Sequence, residues 1–302
     1  MTSEPVRSNG MRWDNTQISP SKLGLWMKCP AAFYFNYIKR IQRDAKVFFP
    51  QGTAVHYGVE LLNQDLAKGT PGDEEYYAIK MDDVWQDELH QNNGKFFDFK
   101  GNLLTPEQLE YHFNETVRWF GMYYRAARTG AIPDFDATTV KETELDLMRE
   151  VIHYEHGPLG VSVRGKIDWV IDLDGPVARL ADLKTASTSW MARWGTGKAD
   201  GQLQATAYGY ASGKPLDFSY VVIPKAAAKD AASTPIEHYR TQRDEKHYRV
   251  FEDTMLNFVR QTDVLNNYDG FIPFPNPEPS QHSHCGKLCD FKAECRKEFF
   301  GG

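Results

Sequence analysis

Residues 161–173, VSVRGKIDWVIDL, run into Asp174-Gly175 and then into VARLADLKT. Two β-rich runs on either side of an Asp-Gly turn signal read as an antiparallel hairpin. This hairpin constrains the chain more than any other segment, because its apolar faces must be covered and most of the remaining sequence reads as helix. Ser19-Pro20 opens a helix toward Cys29, with a hydroxyl at the N-cap and proline in the first turn. Pro30 starts a second helix, and helices are also predicted over 51–65, 73–90, 105–129, 200–212 and 245–267. Further strands are predicted over 141–154, 217–224 and 236–242. Helices, three strands, a helix, a strand and a helix in that order predict an α/β fold, a central mixed sheet flanked by helices.

The organisation expected is a flexible tail over 1–18 and a single domain over 19–302. Within it, 65–135 is a helical insertion, 136–224 holds the sheet and its helix, and 281–296 is a cysteine-bearing segment completed by Cys29. The net charge is −6 over 302 residues, which excludes a whole-surface basic coat and requires any nucleic-acid contact to be local. No run approaches the ~18 apolar residues of a membrane span. The opening MTSEPVRSNGMRWDNT lacks the apolar stretch of a signal peptide. A cytoplasmic protein is the expectation.

The hairpin serves as a ruler. Residues equidistant from a turn face each other across an antiparallel pair. Asp168 precedes Gly175 by as many positions as Asp182 follows it, so their side chains should be neighbours. Alternation along the strand places Lys184 on the face of Asp182. Two carboxylates this close repel unless a cation joins them, and an oxygen site of this kind suits Mg²⁺ or Mn²⁺. Such an ion supplies an acidified water and shields phosphate charge, the requirements of phosphodiester hydrolysis. The plainer reading of Asp-x-Lys is a strand salt bridge. Gln204 and Tyr208, spaced i, i+4 on the following helix, could bind the attacking water or a phosphate. His56, in GTAVHYG, could serve a divalent site.

The four cysteines are Cys29, Cys285, Cys289 and Cys295. Three crowd together near the end of the chain, and Cys29 is the remaining thiol for a fourth ligand. Four thiolates hold a [4Fe–4S] cluster or a zinc ion. The layout favours iron–sulfur, with His282 and His284 as further ligands if the metal is zinc. The expected role is structural, because four-cysteine ligation leaves no open position.

Together these segments resemble the RecB-like branch of the PD-(D/E)XK nucleases that carries an iron–sulfur cluster, as in CRISPR-associated RecB-like exonucleases and the AddB nuclease domain. SPSKLGLWMKCPAAFYFNYI is similar to that branch's opening segment and GTAVHYG to its histidine motif. GKIDWVID and ADLKTAS are similar to its G-x-x-D and D-x-K strands, QATAY to its Q-x-x-x-Y helix and CGKLCDFKAEC to its terminal cysteines. One departure is three residues, rather than two, between Cys285 and Cys289. The resemblance implies divalent-metal ligation by His56, Asp168, Asp182 and the Leu183 carbonyl. It implies Lys184 as the residue that positions the attacking water, with Gln204 and Tyr208 as motif partners. It also implies cluster ligation by Cys29, Cys285, Cys289 and Cys295. No G-x-x-x-x-G-K-[ST] phosphate loop is present, so a stand-alone nuclease is expected rather than a motor fusion.

The reading that follows is a metal-dependent DNA exonuclease. It would act on single-stranded ends in recombination, repair or viral DNA processing, in a bacterial or phage-infected cell. Lys39, Arg40 and Arg43, just after aromatics at 33–37 that read more readily as core than as stacking surface, and Arg164 and Lys166 beside Asp168, whose plainer reading is a solvated face, are the candidate DNA contacts. A homo-oligomer or a recombination partner is possible for this family. The alternatives are a non-catalytic iron–sulfur DNA-end binder or adaptor, and a structure-specific endonuclease or RNase.

Overall fold

The computed structural model describes residues 16–267 and 289–299. Among them two compact units form, one from 16–43, 148–165, 246–267 and 289–299, the other from 44–147 and 166–245. The elements are β1 (Gln17–Ile18), α1 (Pro20–Lys28), α2 (Pro30–Phe33), α3 (Phe48–Lys68), α4 (Glu74–Gln91), α5 (Pro106–Thr129), β2 (Glu142–His153) and β3 (Gly157–Asp172). They continue as β4 (Ala178–Ala186), α6 (Thr188–Arg193), α7 (Leu203–Ser212), β5 (Leu216–Pro224), β6 (Glu237–Arg243), α8 (Glu245–Asn267) and α9 (Lys292–Phe299). Strands β2 and β3 pair and contribute residues to both units.

The second unit is a three-layer arrangement. Its strands follow the order β3-β4-β5-β6, with β4 and β5 parallel and the outer pairs antiparallel. The parallel pair needs a crossover, and α6 and α7 supply it. One sheet face, with Trp169, Ala181, Leu183, Val221 and Ile223, packs on Val55, Val59, Tyr77, Phe120 and Tyr123 of α3, α4 and α5. The other face, with Leu180, Phe218, Tyr220 and Val222, packs on Met191 of α6 and Ala205 and Tyr208 of α7. Strand β5 is buried along almost its whole length, as its near-continuous apolar run requires of a strand covered on both faces.

Local signals set the helix limits. Ser19 accepts from the Lys22 N–H at the start of α1, and Thr105 and Gln108 form a reciprocal capping box at the start of α5. Helices α3 and α5 end on Gly69 and Gly130 at φ 73° and 66°, left-handed positions that glycine takes without strain. At Gly58 on α3 a Cβ would lie 2.6 Å from Met81 Sδ and 3.1 Å from Phe120, so the missing side chain lets α4 and α5 close on α3.

In the first unit, β1 runs parallel to β3, with Gln17 opposite Ser162. The unpatterned tail expected over 1–18 therefore ends in a strand at 17–18, where Ile18 is fully buried; residues 1–15 lie outside the described residues. Trp26 and Phe33 meet Phe258 of α8 edge to face at 5.6 and 5.7 Å. Phe33 and Phe35 are buried, so of the aromatics read beside the basic run, these two are core. His153, 2 % exposed, shares a hydrogen bond with Asp253 at 2.9 Å and accepts from the Glu155 and His156 N–H groups. It thereby closes the β2–β3 turn. Among the described residues no helix is long and apolar enough to cross a membrane.

Candidate active site

Asp168, Asp182, Lys184, Gln204, Tyr208 and His56 all belong to the second unit. Trp169 pairs with Ala181 and Val170 with Leu180 across β3 and β4. Continuing that register by one residue sets Asp168 opposite Asp182, the relation read from the hairpin. A register shift falls between Val170 and Asp172, so the irregularity is confined to the turn side of the two carboxylates.

Each carboxylate has its own partners. Asp168 Oδ2 accepts the Leu183 N–H at 2.8 Å and faces His56 Nδ1 at 3.4 Å. The backbone group of Leu183 that meets Asp168 is thus its N–H. Asp182, 1 % exposed, accepts from Gln204 Nε2 through Oδ1 at 2.7 Å, and its Oδ2 lies against the Lys184 ammonium. Gln204 Nε2 also donates to the Tyr208 hydroxyl at 2.9 Å, and that hydroxyl donates to the Lys166 carbonyl at 2.8 Å. Helix α7 is thus tied to β4 through the amide and to β3 through the phenol. Both amide hydrogens of Gln204 are committed, which leaves its Oε1 as the acceptor available to a water or substrate.

The electrostatics follow from burial. Loss of solvent raises the Asp182 pKa to about 6 against the pull of Lys184, and the neighbouring Asp168 raises it further. Burial acts on Asp168 in the same sense, but the His56 hydrogen bond and charge, with Lys184 and the Leu183 N–H, outweigh it and lower its pKa. Burial would lower the His56 pKa, but the hydrogen bond and charge of Asp168, with Asp182, hold it above the ordinary histidine value.

These residues fit a divalent ion by one observation. Asp182 Oδ2 is buried with the Lys184 ammonium against it, and together with the Asp168 carboxylate and the His56 imidazole it makes a set of oxygen and nitrogen donors that suits a divalent ion. As they stand, no three His, Cys, Asp or Glu side chains among the described residues form a group that could hold a metal. The pairing explains this: His56 is turned to Asp168 while Asp182 is held by Lys184 and Gln204.

Three neighbours were not read from the sequence. Tyr220, fully buried, is the β5 partner of Asp182 in the parallel ladder, and burial followed by the Asp182 charge pushes its pKa up. The run DFSYVVIP, buried on both faces, gave no alternation to single it out. Lys198 sits 4.2 Å from the Trp194 ring centroid, its pKa lowered by burial and then by Lys184 and Arg193. Glu60, one turn beyond His56 on α3, bonds Thr143 at 3.2 Å. Its i, i+4 spacing from His56 was the available signal.

The other candidate residues fall in separate places. Lys39 pairs with Glu298 at 2.5 Å, Arg43 with Asp290 at 3.6 Å, and Arg164 bonds Gln17 at 3.1 Å, all in the first unit. Arg40 takes φ 51°, a left-handed position unusual for a side-chain-bearing residue. Lys166 pairs with Glu144. Cys29, Cys289 and Cys295 gather in one apolar cluster with Ala31, Ala32, Phe35 and Phe291. Cys285, His282 and His284 lie outside the described residues.

A family model described as the PD-(D/E)XK nuclease superfamily matches residues 17–296. The chain belongs to the PD-(D/E)XK nuclease superfamily. The mixed sheet flanked by helices is that superfamily's fold. A candidate exonuclease from Eubacterium rectale, known from a crystal structure, is 13% identical with a TM-score of 0.48, over 95% of this chain and 93% of that one. The crystal structure of SSO0001 is 14% identical with a TM-score of 0.39, over 94% of this chain and 87% of that one. No curated protein is significantly similar to the chain.

Proposed function

We propose that this superfamily member is a metal-dependent DNA exonuclease of the RecB-like branch that acts on single-stranded ends. The supporting observation is the buried Asp182 carboxylate, shared by Lys184 and Gln204, beside the Asp168–His56 pair. His56, Asp168, Asp182 and the Leu183 carbonyl would hold Mg²⁺ or Mn²⁺, which supplies Lewis-acid activation of water and neutralises phosphate charge. Lys184 hydrogen-bonds and orients the attacking water and places a positive charge beside the phosphorane-like transition state. Gln204, fixed by Asp182 and Tyr208, presents its carbonyl oxygen to that water. Tyr208 locks Gln204 through its bond to the Lys166 carbonyl.

Digestion of end-labelled DNA tests the reading. Single-stranded linear DNA is expected to yield mononucleotides or short oligomers in Mg²⁺ or Mn²⁺, with none in EDTA. Resistance of a circular single strand supports exonuclease action, and its cleavage supports an endonuclease. Matched RNA oligomers separate the sugars. Binding without cleavage in Mn²⁺ would replace the enzyme by an end-binding module.

The first unit supports a second assignment, a structural [4Fe–4S] cluster on Cys29, Cys285, Cys289 and Cys295. Three of these thiols share one apolar cluster, and soft thiolates in an apolar shell suit iron–sulfur or zinc. Anaerobically purified protein is expected to be brown, with broad visible absorption that Cys29→Ser removes. Colourless protein with stoichiometric zinc would refute the iron–sulfur assignment.

A further inference from the structure

Loop 96–104 and the start of α3 expose aromatic rings that no stability argument requires. Phe49 is 54% exposed, Phe99 63% and Leu103 55%. Phe48 joins the two phenylalanines, its ring centroid 4.5 Å from that of Phe49 and 5.9 Å from that of Phe99. The rings are held on a rigid frame. Phe96 and Leu104 anchor the loop in a core with Val47 and Trp85. Asp98 closes its tip by accepting from the Lys100 and Asn102 N–H groups at 2.7 and 2.8 Å. Bridges from Phe97 to Lys46 and to Leu103 fix its two arms. Contiguous exposed apolar surface is where interaction sites are found.

The segments that carry the rings, 44–53 and 95–104, hold three lysines against Asp44 and Asp98. Lys46, Lys95 and Lys100 flank the rings in sequence, and none forms an ion pair with another described residue. Lys46 Nζ lies 5.9 Å from the Phe97 ring centroid and 3.9 Å from where a Gly101 Cβ would sit. The nearby carboxylate of Asp98 is engaged by the loop's own N–H groups and by Asn102. Helix geometry relates the patch to the candidate active site. Phe49 and His56 are seven positions apart on α3, so they lie within about 20° of one face and about 10 Å apart along the axis. Between them Gly52 has open space where a Cβ would be, and Thr53 is exposed. At ~3.4 Å per nucleotide of a stacked strand, that distance spans about three nucleotides.

We propose that Phe49 and Phe99 form a base-stacking platform for single-stranded DNA, with Lys46, Lys95 and Lys100 on its phosphates, a few nucleotides from the scissile bond. Rings stack on the open faces of unpaired bases, which a duplex hides, so the platform selects single strands. The inference rests on the nuclease reading of the site at His56 and deepens it by naming the residues that would select the single strand.

The test uses the full chain carrying Asp182→Asn, expected to bind without cleaving, and a fluorescein-labelled oligothymidylate. Phe49→Ala with Phe99→Ala is expected to weaken this single strand about tenfold or more, with an unchanged melting temperature and no change toward a blunt hairpin duplex. Phe99→Trp is expected to keep the affinity and to add an emission component that the oligonucleotide quenches. Unchanged affinity in the double alanine variant, or equal losses for single strand and duplex, overturns the platform. A parent dimer that the double variant converts to monomer, with DNA affinity intact, also overturns it and assigns the patch to a second copy of the chain. The two readings fail separately. A wild-type chain that does not cleave, while the rings still govern binding, removes only the nuclease reading. A cleaving wild type whose ring variants bind normally removes only the platform.

Discussion

Asp182→Asn is expected to abolish metal-dependent cleavage while making the metal-free protein more stable above pH 6. The activity loss follows from removing a charged ligand whose ion contributes several kcal/mol to the transition state, at least ~10³-fold in kcat. The stability gain follows from the 1 % exposure of Asp182 and its pKa of about 6. A carboxyl group whose folded pKa exceeds its unfolded one contributes fully to stability below the unfolded value, near 4. That contribution is lost as the pH rises through the folded value, near 6. Asparagine stays neutral and still accepts from Gln204, so it avoids a penalty on the order of 1–3 kcal/mol at pH 8. Thermal melts in EDTA at pH 4 and pH 8 check this. The variant should melt higher at pH 8 and nearly level with wild type at pH 4. A variant less stable at both values would mean that the Lys184 pairing outweighs burial.

Lys184→Ala is expected to lower kcat by ~10²–10³, the cost of removing one charge-stabilising donor, with affinity for single-stranded DNA little changed. The ammonium is about one-third exposed and touches Asp182 Oδ2, so it faces the reacting region rather than the core. Single-turnover rates at saturating DNA, beside equilibrium binding, separate the effects. An equal fall in binding and rate would make Lys184 a phosphate anchor. An unchanged rate would support the non-catalytic alternative.

Much of the site was legible because its geometry is local. The Asp-Gly turn and the alternation of β3 and β4 fix which residues oppose each other, so Asp168 and Asp182 could be paired by counting. The i, i+4 spacing of Gln204 and Tyr208 fixed a common helix face. Their mutual hydrogen bond, and the bond from Gln204 to Asp182, appear only when α7 lies across β4. The aromatics beside the basic run at 39–43 could serve a DNA track or a core, the core being the readier reading, and Phe33 and Phe35 are buried. Helical spacing of aromatics serves a core as readily as a surface, and the sequence does not say which face another element will cover.

By itself, then, the amino-acid order determined strand pairing, helix limits and the inventory of acids, amine and thiols, since these depend on neighbours a few bonds away. Tertiary structure alone decided burial. Helices on both faces of the sheet strip water from Asp182 and raise its pKa, and the packing of Phe96 and Leu104 leaves Phe99 in solvent. Solvation depends on what distant segments cover, a property of the whole folded layer that no local pattern encodes.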